Sequence, residues 1–510
     1  MDKTRVRILN EIDAWIKDPD AQKICWITGM AGTGKTTIAK TVCKRANADS
    51  NIVLGGSFFC SRTGVAAQRD IRCVVPTLVQ LLARRSIAFS QALAEEIAKD
   101  RDLQHKHVTV QVKQLLYTPL DTIKESHASV VFIIDALDEC GDAIPGLNEE
   151  SHQAVSEMLE ALVKSAPSGV RLPVKFLVTS RPETHIRETP VSDADFSQIL
   201  RLHAVNKEEV NADIDRYITE TLNTKLFGKP GIRAYFTATI VGDLVRLCDG
   251  LFIVAATALK HTFGAGANVA EARFQKLLND SRDGFNSSAA APLDRMYKII
   301  LEDAATEDVA EMSGLLRLLA SLLSARMNFS VTALADILGQ KPGDVRASMT
   351  RLHAVVDVPD DDHVPGLRTV HASFGDYLFD RAPAHIRIPR LLGHSTLAHG
   401  CFNVMRDRLH FNISHSVSSY EPNSSTRPTS ITLSLEYACL HWAHHTVCSK
   451  PHDNSAFIST SLDIIIGQVF RPKFLFWLEV LSVLRKVGLA HRLLLSVVSA
   501  VSRRTHALYS

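Results

Sequence analysis

The sequence lacks any surplus of charge of one sign. Its 57 lysines and arginines stand against 55 aspartates and glutamates, so no overall field draws the chain to nucleic acid or to an anionic membrane, and a binding site has to be local. It lacks C-x-x-C pairs. The nine cysteines, at 25, 43, 60, 73, 140, 248, 401, 439 and 448, are odd in number and scattered, which favours a reducing compartment over a disulfide framework. The opening residues MDKTRVRILNEIDAW hold no apolar signal core. No uninterrupted apolar run spans a membrane: FLFWLEVLSVLRKVGLAHRLLLSVVSAVS is broken by Glu479, Arg485, Lys486, His491 and Arg492. Internal repeats of solenoid or propeller period are missing too. The expected location is therefore the cytoplasm. What remains is a globular composition, 46% hydrophobic and 22% charged over 510 residues, and a length that suggests about three or four domains.

Against that background one stretch stands out. Residues 29 to 36 read GMAGTGKT, directly after the apolar run ICWIT. Gly29, four residues, then Gly34, Lys35 and Thr36 is the P-loop spacing. Glycines let the backbone curl so that successive N–H groups face an anion. A helix expected to begin near Lys35 adds its N-terminal partial charge, Lys35 can reach outer phosphates, and the Thr36 hydroxyl can ligate magnesium.

The surrounding pattern supplies a sheet. KICWITG, VLGGSFFCS, ASVVFIIDALDEC and PVKFLVTSRP read as short buried strands, with a helix over TTIAKTVCKRA and amphipathic helices near 70–98 and 107–125. Strands this apolar, separated by helices, imply a parallel sheet covered on both faces, with ligands at the strand C-termini. The P-loop, Asp135 and Arg181 all lie at such ends. Beyond about residue 205 helical patterns dominate, with breaks at FGKPG, GAGAN, DGFNSSAAAP and SYEPNSSTRPTS. A carboxylate at a strand end, Asp135, can hold a magnesium shell. Alone it also reads as a capped strand before an acidic turn. Asp138 and Glu139 follow, and either could polarise an attacking water; a solvated acidic turn is the alternative.

In this order, GMAGTGKTTIA, FFCSR, VFIIDALDEC and FLVTSRPE resemble the NACHT class of STAND NTPases, specifically fungal proteins with a nephrocystin-3-like N-terminal NTPase region. Ala136 after the first aspartate and the acidic pair two positions later are typical of that class. LVRLCDGLFIVAATALKHT resembles its helical lid, LHAVVDVPDDDHVPGLRTVHASFGDYLFD its winged-helix end, and SLEYACLHWAHHT with FLFWLEVLSVL the helical segment that follows. The resemblance implies an α/β P-loop NTPase domain at 1–200, a helical lid at 201–290, a winged helix at 291–385 and a C-terminal helical domain at 386–510.

It also implies roles. Gly29, Gly32, Gly34, Lys35, Thr36 and Thr37 would cradle the phosphates of ATP or ADP, GTP remaining open. Thr36 and Asp135 would hold magnesium, with Asp138, Glu139 and Arg181 at the reacting end. Arg181 otherwise reads as a surface arginine at a strand end. His371 matches a histidine that reaches the β-phosphate of bound diphosphate; by itself a histidine beside apolar residues is more often a packed core residue. Arg62 is a weaker candidate that also fits a strand cap. Where many animal relatives place a lid proline on adenine, this sequence has Phe252 in DGLFI, which could stack on the base or fill the lid core.

Two further features are weighed against site readings. CLHWAHHTVC gathers Cys439, His441, His444, His445 and Cys448, but no second ligand pair follows at zinc-finger spacing. The expected recognition helix KPGDVRASMTRLH has Lys341, Arg346 and Arg351, yet Asp360, Asp361 and Asp362 beside it would repel phosphates, so no nucleic-acid partner is expected. The functional expectation is a signalling switch that binds ATP or ADP with magnesium, hydrolyses slowly, and self-associates in the ATP state. The alternatives are a constitutive mechanical or chaperone-like ATPase and a non-hydrolysing scaffold. Effector and repeat domains common in fungal relatives are not found, so the sequence reads as a fragment, a degenerate copy, or a partner that works in trans with an unknown effector protein.

Overall fold

Four of the apolar runs become strands because each is too short for a stable helix and rich in valine, isoleucine and phenylalanine. The computed structural model describes residues 4–62, 65–121, 129–140, 149–165, 174–189, 193, 195–227, 230–264, 269–283, 292–305, 309–418, 428–449 and 459–508. The four loop-like breaks and residues 122–125 of the second expected helix fall wholly or partly outside these. The chain forms two compact units, residues 1–296 and 297–510.

In the first unit α1 (Val6–Lys17) precedes β1 (Ile24–Thr28), α2 (Lys35–Ala48) and β2 (Ile52–Phe59). Helices α3 (Val74–Ala83) and α4 (Ile87–Lys99) and a helical run at 108–121 lead to β3 (Ser129–Asp135). Then come α5 (Glu149–Lys164), β4 (Val174–Ser180) and β5 (Ser197–Arg201). The sheet is fully parallel in the order β2-β3-β4-β1-β5. Every residue of β1, β3 and β4 is buried, the mark of a parallel sheet with both faces covered.

Alternate residues feed two cores. Trp26, Phe132, Ile134, Phe176 and Val178 face α3, α4, the 108–121 run and α5. Cys25, Ile27, Val131, Ile133 and Leu177 face α1 and α2. The sequence reading did not include β5: SQILR is only partly buried at the sheet edge, so its apolar signal is weak. Helices α6 (Lys207–Lys225), α7 (Ala238–Cys248), α8 (Phe252–Phe263) and α9 (Ala270–Asp283) follow. The expected helix over 70–98 is broken at residues 84–86, where Ser86 caps α4 by accepting from the Phe89 amide.

The second unit begins within α10 (Pro292–Ala304). Helices α11 (Val309–Ser324), α12 (Val331–Leu338) and α13 (Pro342–Arg351) are followed by a two-stranded antiparallel ribbon of β6 (Val356–Asp357) and β7 (Arg368–Thr369). Arg346 on α13 ion-pairs with Asp362, and Arg351 with Glu311 at 2.5 Å. The short helix α14 (Ala372–Asp376) leads to α15 (Arg390–Arg408), α16 (Leu433–Cys448), α17 (Ser459–Val483) and α18 (Leu489–Leu508). Trp442 of α16 and Trp477 of α17 meet edge to face at 6.1 Å, and the Trp477 indole donates to the Cys439 carbonyl at 2.9 Å. Among the described residues no helix is long and apolar enough to cross a membrane.

Candidate functional site

The site starts where β1 ends, because a strand buried on both faces must release its chain at the sheet edge. Gly32 and Gly34 take φ of +79° and +95°, angles that a side chain disfavours. Gly34 is also the N-cap of α2, and no side chain caps that end, so the first amides of a helix of 14 residues are left for other partners. Lys35 lies over the loop, its Nζ donating to the carbonyls of Gly29 at 2.6 Å and Met30 at 3.0 Å. Burial lowers the Lys35 pKa, against the opposing charge of Asp138. Thr36 is exposed and Thr37 half-buried on the first turn.

Strand β4 lies between β1 and β3, and its C-terminal end joins the loop to the acidic turn. Asp135, 2% exposed, accepts from the Thr179 hydroxyl at 2.6 Å, and Thr179 in turn accepts from the Ala136 amide at 2.9 Å. Burial pushes the Asp135 carboxyl up, while the Thr179 and Thr36 hydroxyls and the Lys35 charge pull it back. Ala136 sits at φ 55°, a left-handed kink that costs an L residue about 1–2 kcal/mol and turns the chain into the tight helical turn Leu137–Glu139.

The two acids of that turn have different surroundings. Asp138, also 2% exposed, accepts from the Arg181 backbone amide at 2.9 Å and pairs with the Arg181 Nε at 3.3 Å. Glu139 accepts from the Arg62 backbone amide at 3.2 Å, and the Arg62 guanidinium donates to the Asp138 carbonyl at 2.7 Å. Burial, reinforced by the Asp138 charge, raises the Glu139 carboxyl to about 7. The Cys60 and Cys140 thiols, 3.2 Å apart, fasten the end of β2 beside the same turn.

The opposite wall comes from α8 and the chain start. The Ile253 amide donates to the Gly32 carbonyl at 3.3 Å, and a Cβ on Gly32 would lie 2.1 Å from the Ile253 Cγ2. Phe252, Arg5, Leu9, Gly34, Thr37 and Thr41 line a narrow cleft of about 30 Å³, roughly the volume of one water molecule. Arg5, 5% exposed, lies over the Phe252 ring at 5.2 Å and donates to the Thr33 carbonyl at 3.2 Å. Its Nε and Nη1 are buried without a hydrogen-bond partner, and burial lowers its pKa against the pull of Asp213 and Glu209. Sequence reasoning missed Arg5, since nothing in TRVRIL signals a contact with Phe252.

The first unit therefore brings together Gly29, Gly32, Gly34, Lys35, Thr36, Thr37, Asp135, Asp138, Glu139, Arg181 and Arg62. His371 belongs to the second unit, where it caps α14: its Nδ1 accepts from the Ser373 amide at 3.1 Å. Just beyond it, Phe374 and Tyr377 pack against Tyr297. The first unit fits a phosphorylated nucleotide with a divalent cation. Uncapped helix amides suit phosphate, the orphaned donors of Arg5 suit a polar ligand in the cleft, and a buried carboxylate facing a threonine hydroxyl suits magnesium.

Residues 5–181 match the family model described as nephrocystin 3, N-terminal. The vegetative incompatibility protein HET-E-1 of Podospora anserina is 23% identical over 491 residues, which cover 92% of this chain and 34% of that protein; the chain thus spans about a third of that relative's length. Among solved structures, Cdc6p of Pyrobaculum aerophilum superposes with a TM-score of 0.31 at 10% identity, covering 71% of this chain and 89% of that one. The ADP form of the Aeropyrum pernix ORC2 protein gives 0.27 at 15% identity, covering 69% and 84%; superpositions this loose assign no residue here. With the P-loop, the acidic strand end and the parallel sheet in place, residues 5–181 carry a P-loop NTPase region similar to the nephrocystin 3 N-terminal family, and these likenesses support a NACHT-like STAND NTPase.

Proposed function

We propose that the chain is a nucleotide-operated signalling switch. The observation that carries this reading is the docking of α8 on the P-loop, where the Ile253 amide reaches the Gly32 carbonyl and Phe252 closes a cleft shared with Gly34 and Thr37. A lid that touches the phosphate loop directly feels what the loop holds, so binding and lid position are coupled. The loop amides at Gly29, Gly32 and Gly34, with Lys35, Thr36 and Thr37, would bind the phosphates of ATP or ADP, and Arg5 and Phe252 the base end. Thr36 and Asp135 would hold magnesium, which supplies charge neutralisation at the outer phosphates.

Within this reading Asp138 keeps Arg181 in place, and Glu139, with a carboxyl near neutrality, takes the proton of an attacking water. That near-neutral carboxyl favours slow hydrolysis over a non-hydrolysing scaffold. Exchange of ADP for ATP would free residues 201–290 as lid and 291–385 as winged helix for self-association, a shift that needs different affinities for the two states. The relative's naming for vegetative incompatibility supports a signalling output. The test is to purify wild type and Lys35→Ala, extract bound nucleotide and identify it by chromatography. ADP in the wild type and none in the equally folded variant is expected; equal content in both overturns the assignment.

A further inference from the structure

The second unit gathers histidine and cysteine side chains that the nucleotide reading does not use. His444 and Cys448 lie one turn apart on α16, so they share a face, and the Cys448 sulfur is 3.7 Å from the His444 Nε2. The third group comes from another helix: His394 of α15 brings its ring to the same place, and one ligand atom from each of the three residues lies within 4.8 Å of the others. The spacing within CLHWAHHTVC argued against a metal because it offers no second pair; the missing ligand stands 50 residues upstream of His444 and is brought in by helix packing.

We propose that His394, His444 and Cys448 form a zinc site that pins the C-terminal end of α16 to α15. Two imidazoles and a thiol, with no carboxylate among the three, select a borderline or soft cation over magnesium or calcium. The geometry is close to what zinc requires. With bonds of about 2.3 Å to sulfur and about 2.05 Å to nitrogen at tetrahedral angles, the two ligand atoms lie about 3.6 Å apart, next to the 3.7 Å seen for Cys448 and His444. Three protein ligands leave one position for water, and half-exposed His444 gives access to two buried partners.

An outer shell is already built. The His394 Nδ1 is 2.9 Å from the His445 Nδ1, and the His445 Nε2 is 2.7 Å from the Tyr437 oxygen, which also accepts from the Arg326 amide at 3.2 Å. When His445 gives its Nε2 proton to Tyr437, its Nδ1 accepts from His394. The other ring nitrogen of His394 then carries the lone pair that a cation takes. Such a chain fixes tautomer and ring orientation as outer-shell partners of zinc histidines do.

Cobalt titration of nucleotide-free full-length protein, dialysed first against a chelator, tests the site. One equivalent of Co²⁺ should give tetrahedral visible bands and a thiolate charge-transfer band, and one equivalent of Zn²⁺ should bleach both. Cys448→Ser should lose the charge-transfer band, and His394→Gln should weaken binding by more than about a hundred-fold, beyond what outer-shell changes alone cost. In the wild type, Zn²⁺ should protect Cys448 from alkylation, mapped by peptide mass spectrometry. Absence of the charge-transfer band at one equivalent, its persistence in Cys448→Ser, or unchanged Cys448 alkylation overturns the proposal. The alkylation map decides alone if either variant loses its helical circular dichroism.

Discussion

Glu139→Gln separates the acidic turn from every other part of the site, because glutamine keeps the shape and can still accept the Arg62 amide. In the native fold burial and the neighbouring Asp138 raise this carboxyl from an ordinary 4.5 to about 7. A raised acid binds its proton more tightly when folded, so the native state is stabilised below the unfolded value and loses that stability as pH climbs through the folded one. Carrying the charge into the fold costs wild type about 1 kcal/mol at pH 5 and about 3 kcal/mol at pH 8. Glutamine removes that cost. The variant's advantage in melting temperature should therefore widen between pH 5 and pH 8 by about 4–8 °C, taking about 2–4 °C per kcal/mol for a unit of this size. Thermal unfolding of nucleotide-free wild type and variant across that range is the assay. A difference that stays flat with pH refutes the placement of Glu139 in a desolvated pocket beside Asp138. The same variant should bind ATP normally and hydrolyse it about 10²–10⁴-fold more slowly, and wild-type turnover should rise with an apparent pKa near 7; an unchanged rate would move the base to another group.

Gly32→Ala should lower the first unit's melting temperature and speed nucleotide release, since its Cβ meets Ile253 at 2.1 Å; Ile253→Ala in the same chain should restore part of both, and no restoration would break the lid argument. Arg5→Met should weaken nucleotide binding by about ten- to a hundred-fold, as loss of a charged donor does, while leaving nucleotide-free stability close to wild type, because a side chain of similar volume fills the site and two unpaired buried donors are removed. Calorimetric titration with parallel melting curves distinguishes this from a packing role, which would lower both. Asp135→Asn should reduce ATP affinity only when magnesium is present, read with a fluorescent analogue; equal losses with and without magnesium would reassign Asp135 to holding Thr179 alone.

Much of the first unit was legible because it is local. The loop spacing from Gly29 to Thr36 encodes a turn that only positive-φ glycines make easily, and the runs at 24–28, 129–135 and 174–180 are mostly apolar because both sheet faces are covered and every residue is buried. Lys35 as the first helical residue and Asp135 as the last of β3 sit where the sequence put them. SQILR was missed because a sheet edge tolerates polar side chains, so its periodicity fades.

What lay beyond the sequence depends on chain segments far apart meeting. Asp138 and Glu139 are adjacent, polar and interchangeable on paper; the order β2-β3-β4-β1-β5 brings Arg181 to the first and Arg62 to the second, and only then does one become a paired anchor and the other a near-neutral acid. Arg5 and Phe252 share a cleft across 247 positions, and His394 reaches His444 from another helix. Backbone geometry and apolar period act over a few residues and are written in order along the chain. Desolvation and ion pairing act through space, so the chemistry of these acids and imidazoles came into being only with the packing.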